Sequence, residues 1–228
     1  MTNSTAAVTS SRDDEETFAL VAEQLYTAVI GDILDTLGRR HQFLPAGIAP
    51  IERRMVLVGR AMPVLIQDVF DEPHEPFGRL TEALDQLRPG EIYVAHGGRT
   101  PCAAWGEIMT TAALVRGARG AVIDGYHRDT KRVLDLPFPV FSRGGYSQDA
   151  GARSVVTHVR VPVEIGDVRI EPGDLLVGDC DGVVVIPVAL ESQVLELALA
   201  KVDTEHQVRA SIGEGMSATQ AHARFGVL

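Results

Sequence analysis

The sequence predicts an α/β fold, and three observations predict it. "EIYVA" and "AVID" read as buried strands, with the helical pattern "EIMTTAALV" between them. Strand, helix and strand at that spacing imply a right-handed parallel crossover. From Val155 the pattern changes to short β-branched runs divided by turns, "SVVTHVRVPVEIGDVRIEPGDLLVGDCDGVVVIP". Its Gly-Asp and Pro-Gly turns indicate mostly antiparallel sheet. Helical patterns stand at both ends. A chain of 228 residues suffices for one sizeable domain. We expect that domain to span residues 17–228, behind a disordered lead-in over residues 1–16.

The elements follow in order. Residues 18–37 form an amphipathic helical opening whose Glu23, Gln24, Asp32 and Asp35 exclude a membrane span. "GRRHQFLPAGIAPI" is rich in turn residues and leads to "RMVLVGRAMPVLI", a strand or a bent pair of strands. Pro63 belongs at an edge or a bend, because it cannot donate to a ladder. "GRLTEALDQLRPG" places Leu80, Ala83, Leu84 and Leu87 on one helical face and ends at Pro89-Gly90, which suits a type II turn. After the "EIYVA" strand, the loop "HGGRTPCAA" enters a helix starting near Gly106, which Gly117 and Gly120 close. The chain is helical again from Ala189 to about Arg209 and finishes in a tail.

Composition narrows the function classes. A formal net charge of −10, with no basic cluster interleaved with aromatics, argues against nucleic acid as a partner. Two cysteines, Cys102 and Cys180, make neither a disulfide framework nor a zinc site, which fits a reducing cytoplasm. "MTNSTAAVTSSRDDEE" lacks the basic start and apolar stretch of a signal peptide.

Most chemical motifs fall away. His127-Arg128-Asp129 matches the kinase catalytic loop in three residues, but Leu134 stands where that loop needs Asn. "AHGGRTPCAAWG" fits neither the dinucleotide fingerprint nor the P-loop and reads as an anion-binding turn. The N–H groups at the start of the following helix are placed to hold a small carboxylate. Cys102 has no histidine assigned to activate it, and Trp105 reads as a packing anchor. "GDCDG" lacks the further oxygen ligands of a calcium loop and reads as a tight turn. Asp129, after a buried strand and beside Arg128, is either a structural ion-pair partner or a metal ligand.

Glu107, twenty intervening residues and Arg128-Asp129 together resemble the D/E-X20-R-D motif of a known family. These are the class II pyruvate aldolases that cleave 4-hydroxy-4-methyl-2-oxoglutarate and 4-carboxy-4-hydroxy-2-oxoadipate. Their superfamily includes the ribonuclease regulator RraA. "GEIMTTAALVRGARGAVIDGYHRD", "PFPVFSRG" and "PGDLLVGDCDGVVVIP" support the likeness, which runs from about Glu91 to Pro187.

The resemblance implies a three-layer β/β/α swivelling-domain fold with peripheral terminal helices, a homotrimer or hexamer, and a divalent metal, Mg or Mn. It implies a small 2-oxo acid substrate cleaved through a pyruvate enolate, by aldol cleavage, oxaloacetate decarboxylation or both. Carried over, Asp129 binds the metal, and Arg128 holds the keto oxygen. The segment Gly106, Glu107, Ile108 and Met109 receives the substrate carboxylate, and Glu107 positions or deprotonates a metal-linked water. Asp35 and Glu205 are further candidate acids, Glu205 acting from a neighbouring subunit. The alternative is a non-catalytic RraA-type regulator that binds a ribonuclease or another protein. Regulators of that kind lack the motif's first acid, present here as Glu107. A methyltransferase reading lacks a Gly-rich cofactor loop.

Overall fold

A long strand, β2 (Leu57–Asp68), organises the sheet. In this computed structural model, which describes residues 4–71 and 75–227, β2 pairs in parallel with β3 (Glu91–His96). Next come β5 (Gly120–Ile123) and β7 (Val140–Ser142), both parallel, and then the short β1 (Ala49–Pro50). On the other side of β2, its first half pairs antiparallel with β11 (Leu175–Asp179), which continues to β12 (Gly182–Ile186). Its second half pairs antiparallel with β8 (Ser154–Val159). Pro63 sits where β11 has ended and β8 has not begun, so the ladder loses no bond at the residue that has no N–H to give. Both the predicted parallel crossover and the antiparallel C-terminal half are present.

Alternation along the strands sends side chains to different cores. Met62, Val64, Tyr93, Ala95, Ala121 and Ile123 face α3 (Leu80–Asp85) and α4 (Glu107–Val115). Ala61, Ile92, Val94, Val122 and Leu176 point the other way, into an aliphatic interior closed by the hairpin β9 (Val163–Ile165) and β10 (Val168–Ile170). Leu175, Val177, Val184 and Ile186 pack outward against the terminal helices. The sheet therefore curls nearly closed with helices outside it. This matches the expected three-layer β/β/α arrangement.

Three boundaries differ from the sequence reading. The chain is helical from Ser4 in α1 (Ser4–Gln24), so the expected lead-in, residues 1–16, is only partly outside the described residues. Asp14 pairs with Arg60, and Glu15 with Arg119 at 3.0 Å, so the acidic run is drawn onto the sheet by two arginines. The opening helix also breaks at residues 25–26. A second helix, α2 (Thr27–Thr36), starts there because Asp179, from the β11–β12 turn, accepts bonds from the Thr27 N–H and hydroxyl, both at 2.8 Å. Finally, the tail after α6 (Glu191–Gly213) folds into α7 (Ala218–Phe225), started by a Ser217/Gln220 capping box. Among the described residues no single helix is long and apolar enough to cross a membrane.

Candidate active site

Two short strands bring the two halves of the motif together. β4 (Ala103–Trp105) pairs in parallel with β6 (Tyr126–His127), with Trp105 opposite His127. The residues that follow each strand, Gly106-Glu107 and Arg128-Asp129, are thereby neighbours. The Arg128 N–H donates to the Trp105 carbonyl at 2.9 Å. The Glu107 N–H, in the first turn of α4, faces Asp129 Oδ2 at 3.4 Å.

Each arm is held from below. Trp105 is buried, stacked on Phe138 and tilted against Tyr93, and its indole N–H donates to the Thr110 hydroxyl at 2.9 Å. That hydroxyl donates in turn to the Gly106 carbonyl at 3.0 Å, fixing the start of α4. On the other arm, His127 is buried with Nδ1 2.7 Å from Ser142 Oγ and Nε2 2.9 Å from Thr130 Oγ1. Burial lowers its pKa from the ordinary value, which favours the neutral imidazole. Asp129 then adopts φ +58°, a left-handed conformation uncommon for a residue with a side chain. Its carbonyl accepts the Arg132 and Val133 N–H groups at the start of α5 (Thr130–Leu134), which offsets that strain.

The Arg128 guanidinium spans two carboxylates, with Nη2 3.2 Å from Asp149 and Nε 3.9 Å from Asp129. Gly106 is needed at the crossing point. A Cβ there would lie 2.8 Å from Asp129 Oδ2. A cavity of about 280 Å³ opens beside them, lined by Gly106, Arg128, Asp129 and Asp149 together with Phe77, Leu80, Leu84 and Met109.

The donor set suits a hard divalent cation. Asp129 is half-exposed, and its carboxylate meets the Glu107 N–H and Arg128 Nε only at 3.4 and 3.9 Å, which leaves it capacity to take a cation. Mg and Mn take oxygen ligands of this kind and retain several waters. The one close cluster of metal-capable side chains among the described residues is elsewhere, at Asp179, Cys180 and Asp181. Asp179 is already committed there to Thr27 and to the Asp181 N–H.

The structure gathers most of the sequence candidates. Gly106, Ile108, Met109, Arg128 and Asp129 line the cavity. The Glu107 side chain turns along the outer face of α4, 3.4 Å from the Thr111 hydroxyl. Asp35 is exposed on α2. Glu205, on α6, accepts a bond from the Tyr26 hydroxyl and lies 4.0 Å from Lys201. Burial and that carboxylate push the Tyr26 hydroxyl up to about 12. Neither Asp35 nor Glu205 lines the cavity within the chain. Asp149 was missed, because its place beside Arg128 depends on a long-range bridge between Ala103 and Asp149. The anion-binding turn has an internal occupant: Asp68 accepts the N–H groups of Arg99 at 2.9 Å and Thr100 at 3.2 Å.

Residues 27–185 match the profile of the RraA-like family, described as Aldolase/RraA. The chain belongs to the RraA-like family. A relative from Halalkalibacterium halodurans, named "Putative 4-hydroxy-4-methyl-2-oxoglutarate aldolase", is 32% identical over 86% of this chain and 89% of its own. Protein DlpA of Legionella pneumophila is 27% identical over 87% of this chain, but the match spans only 32% of DlpA. Among solved structures, an uncharacterized protein from Pseudomonas syringae pv. tomato superposes with a TM-score of 0.82 at 35% identity, covering 92% of this chain and 94% of that one. Streptomyces coelicolor RraAS2, described as an unusual member of the RNase ES inhibitor RraA protein family, gives 0.75 at 25% identity, over 87% and 98%. The RraA-like segment contains both arms of the site and ends before α6, which carries Glu205.

Proposed function

We propose that this protein is a divalent-metal-dependent carbon–carbon lyase acting on a 2-oxo acid through a pyruvate enolate. The observation that carries the reading is the meeting of Arg128 and Asp129 with the first turn of α4 beside a cavity whose lining is largely apolar. The name borne by the Halalkalibacterium halodurans relative supports it.

In this reading the substrate carboxylate lies against the N–H groups of Ile108 and Met109, which have no intrahelical partners in a first helical turn. Arg128 donates to the C2 keto oxygen, and its fixed charge stabilises the negative charge that develops there. Glu107, whose side chain lies on the outer face of α4 beside the cavity, acts through a water that it positions or deprotonates; that water takes the proton of the C4 hydroxyl as the C3–C4 bond breaks and the electron pair passes into the C2–C3 enolate. A proton delivered to C3 then completes pyruvate, and C4 leaves as a carbonyl compound. With oxaloacetate the same enolate forms as carbon dioxide departs. Asp129 would hold Mg or Mn, whose positive charge, when bound, draws electrons towards the 2-oxo group. Asp35 and Glu205 lie away from the cavity within one chain, so the reading assigns them roles only in a homotrimer or hexamer.

The test is exchange of the pyruvate methyl protons in D2O, followed by NMR, beside pyruvate release from 4-hydroxy-4-methyl-2-oxoglutarate and oxaloacetate. Each is run with Mg, with Mn and with chelator. Metal-dependent exchange and release, both lost in Asp129→Ala and Arg128→Ala, are expected. Folded protein that catalyses neither would overturn the lyase and leave a regulator that binds another protein.

A further inference from the structure

We propose that Asp149 is a positioning residue for Arg128, its carboxylate holding the guanidinium over Gly106 and away from Asp129. The inference rests on the lyase reading and adds to it a residue that neither arm of the motif contains. Its basis is the way the chain builds this corner. β4 is the middle one of three parallel segments: Ala103 pairs with Tyr126 of β6 on one side and bridges to Asp149 on the other. The Ala103 N–H donates to the Gln148 carbonyl at 2.7 Å, and the Trp105 carbonyl takes the Arg128 N–H at 2.9 Å. Arg128 therefore starts on the β6 side, and its guanidinium meets Asp149 from the opposite side, Nη2 to Oδ1 at 3.2 Å. Between them lies the end of β4, where the Arg128 side chain crosses Gly106. A Cβ there would be 3.4 Å from Arg128 Cγ and 3.8 Å from its Nε.

Asp149 is itself held in place. Its carbonyl accepts a bond from Arg153 Nη1 at 3.0 Å, and the Ala150 carbonyl takes the N–H groups of Arg153 and Ser154 at 2.7 and 2.9 Å, which ties the segment to the start of β8. Gly151 clears room for the carboxylate, since a Cβ there would lie 3.0 Å from Asp149 Oδ2. Among the described residues, Asp149 and Asp129 are the carboxylates that face the Arg128 guanidinium, at 3.2 and 3.9 Å. Arginine is charged in any surroundings, so Asp149 supplies direction rather than charge. Without it, Asp129 is the carboxylate that remains within reach, and the guanidinium would turn towards the group that the lyase reading gives to the cation. The Arg128 and Asp149 side chains are 40% and 42% exposed, and a pair so open to water adds little stability. Its loss should therefore register in the chemistry and not in the fold.

The experiment measures pyruvate release from 4-hydroxy-4-methyl-2-oxoglutarate and pyruvate methyl exchange in D2O. It uses the full chain supplied with Mg or Mn and its Asp149→Asn variant, with thermal unfolding followed on both. Asparagine keeps the shape and removes the charge. We expect Tm to stay within about 2 °C of the parent and kcat to fall roughly tenfold or more, the scale of a misplaced reacting group. KM should not rise, because the charge removed repels an anionic substrate; a loosened cavity would raise it. A double-mutant cycle asks whether Asp149 acts through Arg128. In Arg128→Lys, which keeps a charge but loses the planar fork, Asp149→Asn should lower kcat by less than about threefold further. A kcat within about twofold of the parent, a loss carried by KM, or the same fold loss in both backgrounds would overturn the positioning role and leave the lyase standing. A parent protein that neither exchanges nor releases would remove the lyase reading, and this inference with it.

Discussion

Replacing Gly106 by alanine isolates the geometry of the proposed site from the stability of the fold. The Gly106 backbone is extended, at φ −168° and ψ −172°, so alanine meets no conformational strain there. The cost falls on contacts: the new Cβ would lie 2.8 Å from Asp129 Oδ2 and 3.4 Å from Arg128 Cγ. Restoring an ordinary separation of about 3.4 Å requires the carboxylate to retreat by roughly 0.6 Å. The Asp129 backbone cannot easily follow, because its carbonyl holds the Arg132 and Val133 N–H groups at 2.8 and 3.0 Å. Relief must come from side-chain rotation, at about 0.5–1.5 kcal/mol. In a chain of this size that lowers Tm by only a few degrees. A shift of that size at a reacting centre, however, costs roughly ten- to a hundredfold in rate. The assay is kcat/KM for pyruvate release, with thermal unfolding measured on the same protein. Activity within twofold of the parent would refute the placement of Asp129 at the centre of the chemistry. A fall in Tm of more than about 8 °C would show instead that Gly106 serves the fold.

Asp179→Ala removes two bonds that start α2, so a loss of about 1–2 kcal/mol is expected, seen as a lower urea midpoint with unchanged slope. His127 has a native pKa below its unfolded value near 6.5, so the native state binds fewer protons between the two. Its contribution to stability should be complete above about pH 6.5 and fall as pH drops through the lowered native value; urea titrations at several pH values should show a shallower dependence in His127→Gln. Trp105→Phe should cost about 2–4 kcal/mol, from the lost bond to Thr110 and the space left in the core, while kcat/KM well below Tm stays within a few-fold.

The fold was legible where periodicity is local. The β3–α4–β5 crossover, the turns at Gly90 and Gly173 and the antiparallel C-terminal strands all follow from short-range pattern. What escaped the sequence reading depends on distant partners. The break between α1 and α2 is set by an aspartate 152 positions away, and no signal near Tyr26 announces it. The same holds for the site. The spacing of Glu107, Arg128 and Asp129 marked the two arms, but β4 and β6 are too short to show a strand pattern, so the pairing that joins them was invisible. Asp149 and Phe77 reach the cavity through bridges and turns that only tertiary packing defines.

Trp105 explains why two loops can hold a geometry fine enough for chemistry. Its ring belongs to the core, its carbonyl takes the Arg128 N–H, and its indole N–H reaches through Thr110 to the carbonyl of Gly106. Both arms therefore hang from one buried residue, and a displacement of either is resisted by core packing rather than by loop stiffness alone. The next residue along, Gly106, contributes almost nothing to that packing and instead sets the distance to Asp129. Adjacent positions should thus show opposite phenotypes, stability lost with activity kept at Trp105 and activity lost with stability kept at Gly106. If the two effects moved together at both positions, the site would be no more than a rim of the core, and the case for Asp129 as a placed functional group would fall with that separation.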